Sequence, residues 1–291
     1  MKLILHIGTE KTGTTTLQNY FSLNRDFLKT KGIYYPKTLG KLNHCKLTVF
    51  ARDRYKPSKA FNRYKIFSIN DYRAFSSSLI TDFNNEYSEN SNIKNWVISD
   101  EHLQSRLTDI NMVRRVKSFL SNKFENIEIL VHLRPQIDLA ISLASTAVRV
   151  GKTVNSKFFL NKKYHDKYYN YDLLIKRWED VFGADCVRIV PFNNKPCMTS
   201  FLLEKLGIEK EYYETINRKN SSLDWRTMVL VNTITTPDLN KDKSINHNLN
   251  IFINDLPYKE RLAVGLDIAK QFQSVFEKSN NQLINRRQDL N

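Results

Sequence analysis

Apolar residues along the chain alternate between short unbroken runs and stripes at helical spacing. Residues 2–7 form an apolar run that stops at Gly8 and predict a buried first strand. Leu17, Tyr20, Phe21, Phe27 and Leu28 then fall on one stripe, which predicts a helix over 14–29. The same alternation continues with strands at 96–99, 127–133 and 187–190. Helices are predicted at 109–121, 137–148, 171–182 and 198–206. Strands that alternate with helices predict an α/β fold of three layers, with a mostly parallel central sheet flanked by helices. Ligands of such sheets gather beyond the carboxyl ends of the strands. That rule points to residues 8–16, 99–102 and 134–142.

Two regions depart from the pattern. Residues 52–65 are basic with interleaved aromatics, and residues 237–256 are rich in Asn, Lys and Asp. The second reads as a solvated excursion before a last helix near 258–277, and the polar tail after Ser279 is expected to fray. With 291 residues, 41% of them hydrophobic, the chain suits one domain over 1–291. Its core would span about 1–225, followed by the excursion and helix at 226–278 and the tail at 279–291.

The formal net charge of +15 calls for an anionic partner, and a nucleotide, an acidic glycan or a nucleic acid would each satisfy it. Cys45, Cys186 and Cys197 form no CxxC pair and leave an odd thiol, which argues for a reducing compartment and against zinc. His6, His44, His102, His132, His165 and His247 show no paired ligand spacing, so no metal is expected. The first apolar run is too short for a signal peptide and no long apolar stretch follows, so the expectation is a cytoplasmic protein without a membrane anchor.

Residues 8–16, GTEKTGTTT, join the first strand to the first helix. Successive backbone N–H groups at a helix start form an anion site, with Gly13 permitting close approach and the threonines adding hydroxyls. The ATP-binding version of such a loop is G-x-x-x-x-G-K-[ST]. Here Gly8 and Gly13 have that spacing, but Thr14 stands where the lysine belongs and the lysine is inside the loop, at Lys11. A P-loop kinase or NTPase would lack its phosphate lysine.

The run Lys11-Thr12-Gly13-Thr14-Thr15-Thr16 resembles the 5'-phosphosulfate loop of sulfotransferases that use 3'-phosphoadenosine-5'-phosphosulfate (PAPS), above all their heparan-type and bacterial carbohydrate branches. The resemblance implies a P-loop-like fold in which Lys11 steadies the leaving phosphate and Thr12 to Thr16 cradle it. Arg134, Asp138 and Ser142 repeat the family's spacing of four and eight residues after a strand end. Arg134 and Ser142 would then bind the 3'-phosphate, a role suited to a guanidinium fork and a hydroxyl. Pro135 follows Arg134 directly, where the family often has Asn-Pro. Residues 178–192 also resemble the helix, Gly turn and strand of bacterial members. Arg218, Asn220 and Ser221 fall where a late nucleotide-contacting loop would lie, with Ser221 as a further ligand.

In that family a His or Glu takes the acceptor proton. Glu101 matches a Ser-x-Glu pattern of bacterial members and is the expected base, ahead of His102, Glu10 and His44. Equally, a carboxylate at position 101 could simply favour a helix start. The resemblance implies transfer to a hydroxyl or amine of a carbohydrate, with PAP as product and no metal. The basic aromatic stretches 52–65 and 157–177 would suit a sugar chain, although helical spacing in the second also suits a core. Two other classes stay open, a P-loop kinase or NTPase and a non-enzymatic polyanion binder, although no nucleic-acid-binding signature is present. A homodimer is among the open oligomeric states.

Overall fold

The structure, a computed structural model, describes residues 1–52, 58–192, 197–212, 224–234, 262 and 264–290. Its strands are β1 (Lys2–His6), β2 (Ile33–Tyr34), β3 (Asn95–Ser99), β4 (Asn126–Leu133) and β5 (Val187–Pro191). In chain order the helices begin with α1 (Thr14–Leu23), α2 (Arg25–Thr30), α3 (Cys45–Ala51), α4 (Lys59–Arg63) and α5 (Ile69–Glu89). Then come α6 (His102–Arg106), α7 (Ile110–Leu120), α8 (Gln136–Arg149), α9 (Ser156–Leu160) and α10 (Tyr171–Phe182). The series ends with α11 (Met198–Lys205), α12 (Trp225–Ile234) and α13 (Leu266–Arg286). Among the described residues no helix is long and apolar enough to cross a membrane.

The chain divides into two compact units. The first comprises Met1–Leu133, Tyr171–Lys219 and Asp289–Asn291 and contains the whole sheet. Strand order is β2-β3-β1-β4-β5 and every pairing is parallel. The first strand is therefore central, with His6 level with Ser99 on one side and Leu130 on the other. Side chains alternate faces along a strand. Ile4, Val97 and Leu130 meet Leu17 and Phe21 of α1 and Met198 and Leu202 of α11. Trp96 turns to the opposite face, against Phe83 of α5, which stacks on Phe119 of α7. On α10, Arg177 is tied by its Nη1 to the Leu107 carbonyl, while Val181 accepts from Lys117 of α7. Helices thus cover both faces, as the alternation predicts. Each fully buried side chain of this size contributes about 2 kcal/mol.

The stripe expected to make one helix over 14–29 makes two. Asn24 ends α1 with φ −107°, and its side-chain amide donates to the Tyr20 carbonyl. A short amide that satisfies the last turn and opens the next is well suited to such a junction.

The second unit comprises Arg134–Asn170 and Asn220–Gln288. Phe272 and Phe276 of α13 pack on Tyr169. Gln136 of α8 is buried and donates to Asn280 Oδ1 at 2.6 Å, while Ser279 donates to Asn170 Oδ1 at 2.6 Å. Fraying after Ser279 is not observed: α13 continues to Arg286 because Phe272, Phe276, Ser279 and Leu283 form one buried stripe. The polar excursion at 237–256 lies outside the described residues.

Candidate active site

The loop after β1 follows β4 beyond the end of the strand. Ile7 N–H donates to the Leu130 carbonyl, His132 N–H to the Gly8 carbonyl and Thr9 N–H to the His132 carbonyl. The Thr9 hydroxyl adds a second bond to the same carbonyl at 3.0 Å. Thr12 donates its hydroxyl to the Thr9 carbonyl at 2.7 Å, so the loop closes on itself. Lys11 and Gly13 both adopt left-handed backbone, φ 64° and 91°. Gly13 caps α1, and its carbonyl accepts from Thr16 and Leu17. Thr14, Thr15 and Thr16 occupy the first turn of α1, at the positive end of the helix dipole.

Gly8 sets this loop against the end of β3. A Cβ at Gly8 would come within 3.2 Å of the Glu101 Cα and of the Glu10 nitrogen, and φ there is 105°. Only glycine combines that conformation with that approach. Asp100 N–H donates to the His6 carbonyl, so the carboxyl end of β3 is tied to β1 as well.

Residues 99–102 gather the titratable side chains at this edge. Asp100 is completely buried. Its Oδ1 accepts from the His102 backbone N–H and from His102 Nδ1, both at 3.1 Å, and its Oδ2 from the Thr48 hydroxyl of α3. That carboxylate pushes the half-exposed His102 imidazole up to about 9, outweighing burial, which opposes it. Glu101 accepts at Oε2 from the Gln18 side-chain amide of α1 at 2.5 Å. Burial raises its carboxyl above the usual carboxylate range and the Asp100 charge adds to this, while the Gln18 hydrogen bond works against it. Gln18 also donates to Ser99 Oγ at 3.3 Å, and Ser99 Oγ lies 2.9 Å from His6 Nδ1.

His44 occupies a different position from that of a base. Its Nδ1 accepts the Ser99 N–H and its Nε2 donates to the Pro36 carbonyl, each at 2.9 Å. Both ring nitrogens are committed, and burial pushes it down to about 4. His44 is a neutral bracket between the loop after β2 and the end of β3. Glu10 sits half-buried in the first loop.

Asp100, Glu101 and His102 each bring one potential donor atom within 4.8 Å of one another. Asp100 Oδ1 and Oδ2 and Glu101 Oε2 are each engaged by protein donors.

Arg134 and Ser142 belong to the second unit. Arg134 follows the last residue of β4 and precedes Pro135, the N-cap of α8; Ser142 is buried two turns into that helix. Ser221, Arg218 and Asn220 lie outside the described residues. Of the aromatic stretches, Phe61, Phe159, Tyr169 and Tyr171 are buried in the core of their own units. Sequence reasoning missed Gln18, Thr48 and the Asp100 role. A polar Gln on the apolar face of a predicted helix was the available signal for Gln18.

No family model matches the chain, and no curated protein matches it. Solved structures that resemble its course include three sulfotransferases. The sulfotransferase from Alicyclobacillus acidocaldarius is 16% identical with a TM-score of 0.44, the match covering 94% of each chain. The sulfotransferase domain of the Synechococcus PCC 7002 olefin synthase is 12% identical with a TM-score of 0.41, again over 94% of each chain. A sulfotransferase domain from the curacin biosynthetic pathway is 13% identical with a TM-score of 0.39, over 94% of this chain and 96% of that one. A likeness at this level assigns no chemistry.

Proposed function

We propose that the protein is a sulfotransferase that moves a sulfuryl group from PAPS to a hydroxyl or amine, with a carbohydrate as the acceptor. The observation that carries this reading is the seating of the Lys11 loop against Glu101. Gly8 brings the backbone of a strand–loop–helix anion site to within contact of the residue suited to take a proton. PAPS supplies an activated sulfuryl group whose displacement leaves a phosphate.

Transfer of this kind depends on positioning and on charge stabilisation. Lys11 and the N–H groups opening α1 bear the charge that grows on the leaving phosphate. Glu101 accepts the acceptor's proton, a role that a carboxyl raised by burial performs better than an ordinary one. His102, held as an imidazolium by Asp100, is already protonated at neutral pH and serves as a cation beside the base. Arg134 and Ser142 are assigned to the 3'-phosphate on their spacing alone, and Ser221 is proposed to join them.

Calorimetric binding of PAP against ADP tests the reading. Micromolar PAP binding with much weaker ADP binding supports it, and transfer from PAPS to glycan acceptors then follows. Equal binding, or preference for ADP with magnesium, points to a kinase or NTPase. Salt-dependent binding to any polyanion, without affinity for PAP, points to the non-enzymatic class.

A further inference from the structure

Beneath the first loop, a chain of buried polar side chains runs from the central strand to Glu101. His6, Ser99 and Gln18 come from β1, β3 and α1, and their exposures are 0%, 0% and 2%. Buried polar groups are retained where they are bonded, and here the bonds also fix a direction. A glutamine amide presents two N–H donors. One goes to Glu101 Oε2 at 2.5 Å and the other to Ser99 Oγ at 3.3 Å. With its oxygen accepting, the Ser99 hydroxyl is left to donate to His6 Nδ1, 2.9 Å away. Burial keeps His6 neutral, and in the tautomer protonated at Nε2 its Nδ1 accepts that proton. Each link therefore orients the next, and the Gln18 amide cannot flip without setting its oxygen against the Glu101 carboxylate.

We infer that Gln18 is a positioning residue for the base: its amide, oriented by Ser99 and His6, clamps Oε2 of Glu101 and directs Oε1 to the proton. This rests on reading Glu101 as the base. Gln18 is neutral; among the described residues, charged or titratable groups that act on Glu101 include Asp100 and His102 from its own edge and the Tyr35 hydroxyl from the loop after β2. Glu10 of the first loop faces the same edge through His102. None of these duplicates a neutral N–H donor.

The test is a ¹³C NMR titration of the Glu101 carboxyl in the full chain, run beside the pH profile of PAPS-dependent transfer. Gln18→Met keeps the volume and removes both donors. The expected result is a rise in the Glu101 pKa of about one unit, because a donor to the ionised form has been lost. The acid limb of kcat should rise by the same amount, with KM for PAPS little changed. Ser99→Ala, a smaller excision that leaves the Gln18 amide unguided, should move both in the same direction by less. A folded Gln18→Met protein with an unmoved Glu101 titration overturns the inference, as does a fall in kcat with the pH profile in place. A shifted titration in a protein with no PAPS-dependent transfer leaves the clamp standing and removes the sulfotransferase reading instead.

Discussion

His102 Nδ1 lies 3.1 Å from Oδ1 of Asp100, a carboxylate with no exposure to water. The imidazole is pushed up to about 9 by that contact. At pH 7 about 99 in 100 of these rings then carry a proton. Asp100→Asn should return the His102 titration, followed by NMR, towards about 6.5. The raised folded-state pKa also has a sign for stability. The pair stabilises fully below the unfolded value near 6.5 and its contribution fades as pH rises through about 9. Denaturant unfolding at pH 6 and pH 10 should therefore show a smaller difference in His102→Phe than in the parent.

Lys11 carries the leaving-group charge under the proposed mechanism. Lys11→Ala should lower kcat by about 100-fold or more, the usual cost of deleting one electrostatic stabiliser. Thermal unfolding should change little, because Lys11 is partly exposed in a loop. A variant with undiminished transfer would remove Lys11 from the mechanism.

Gly8 and Gly13 share a left-handed backbone but differ in surroundings. A Cβ at Gly13 meets nothing within 4 Å, whereas one at Gly8 strikes the Glu101 backbone. Gly13→Ala should cost about 1–2 kcal/mol of conformational strain. Gly8→Ala should cost more in denaturant unfolding and also displace Glu101, so its loss of activity should exceed its loss of stability.

Three buried neutral histidines make the first unit sensitive to acid. His44 and His132 are pushed down to about 4 by burial, and His6 lies well below its ordinary value. The unfolded chain binds these protons near 6.5 and the folded chain does not, so stability falls as pH drops from 6.5 towards 4. Each histidine adds up to about 1.4 kcal/mol per pH unit to that slope. Denaturant midpoints at pH 7, 6 and 5 should fall progressively, and His44→Asn should flatten the slope at the expense of overall stability.

Contiguous parts of the candidate site could be picked out in the sequence, whereas long-range side-chain pairings could not. Residues 8–16 announce themselves because strand, glycine, lysine and helix follow one another locally. Glu101 was legible for the same reason, as a carboxylate just past an apolar strand. The Gln18–Glu101 bond joins residues 83 apart, and no periodicity encodes a partner at that distance. His44 shows the reverse failure, since a histidine reads as chemistry until both nitrogens are found bonded. Helix α5 escaped the reading of the pattern because only Tyr72, Leu79 and Phe83 of its 21 residues are buried. Arg134 and Ser142 were legible as a spacing after a strand end, and they stand in the other unit from Lys11.

The central place of β1 also orders the assembly of the molecule. Strand β1 has both edges claimed by strands that follow it in the chain, β3 ending at Ser99 and β4 at Leu133. Until those have emerged, an apolar strand with two open edges must wait unpaired, the kind of segment that invites wrong partners. Contacts so distant in sequence close slowly. The loop bearing Lys11 and the turn bearing Glu101 come together through that late pairing, and the Gln18–Glu101 bond forms only once it is in place. A nascent chain that has not yet reached Leu133 therefore holds the parts of the candidate site without the frame that joins them.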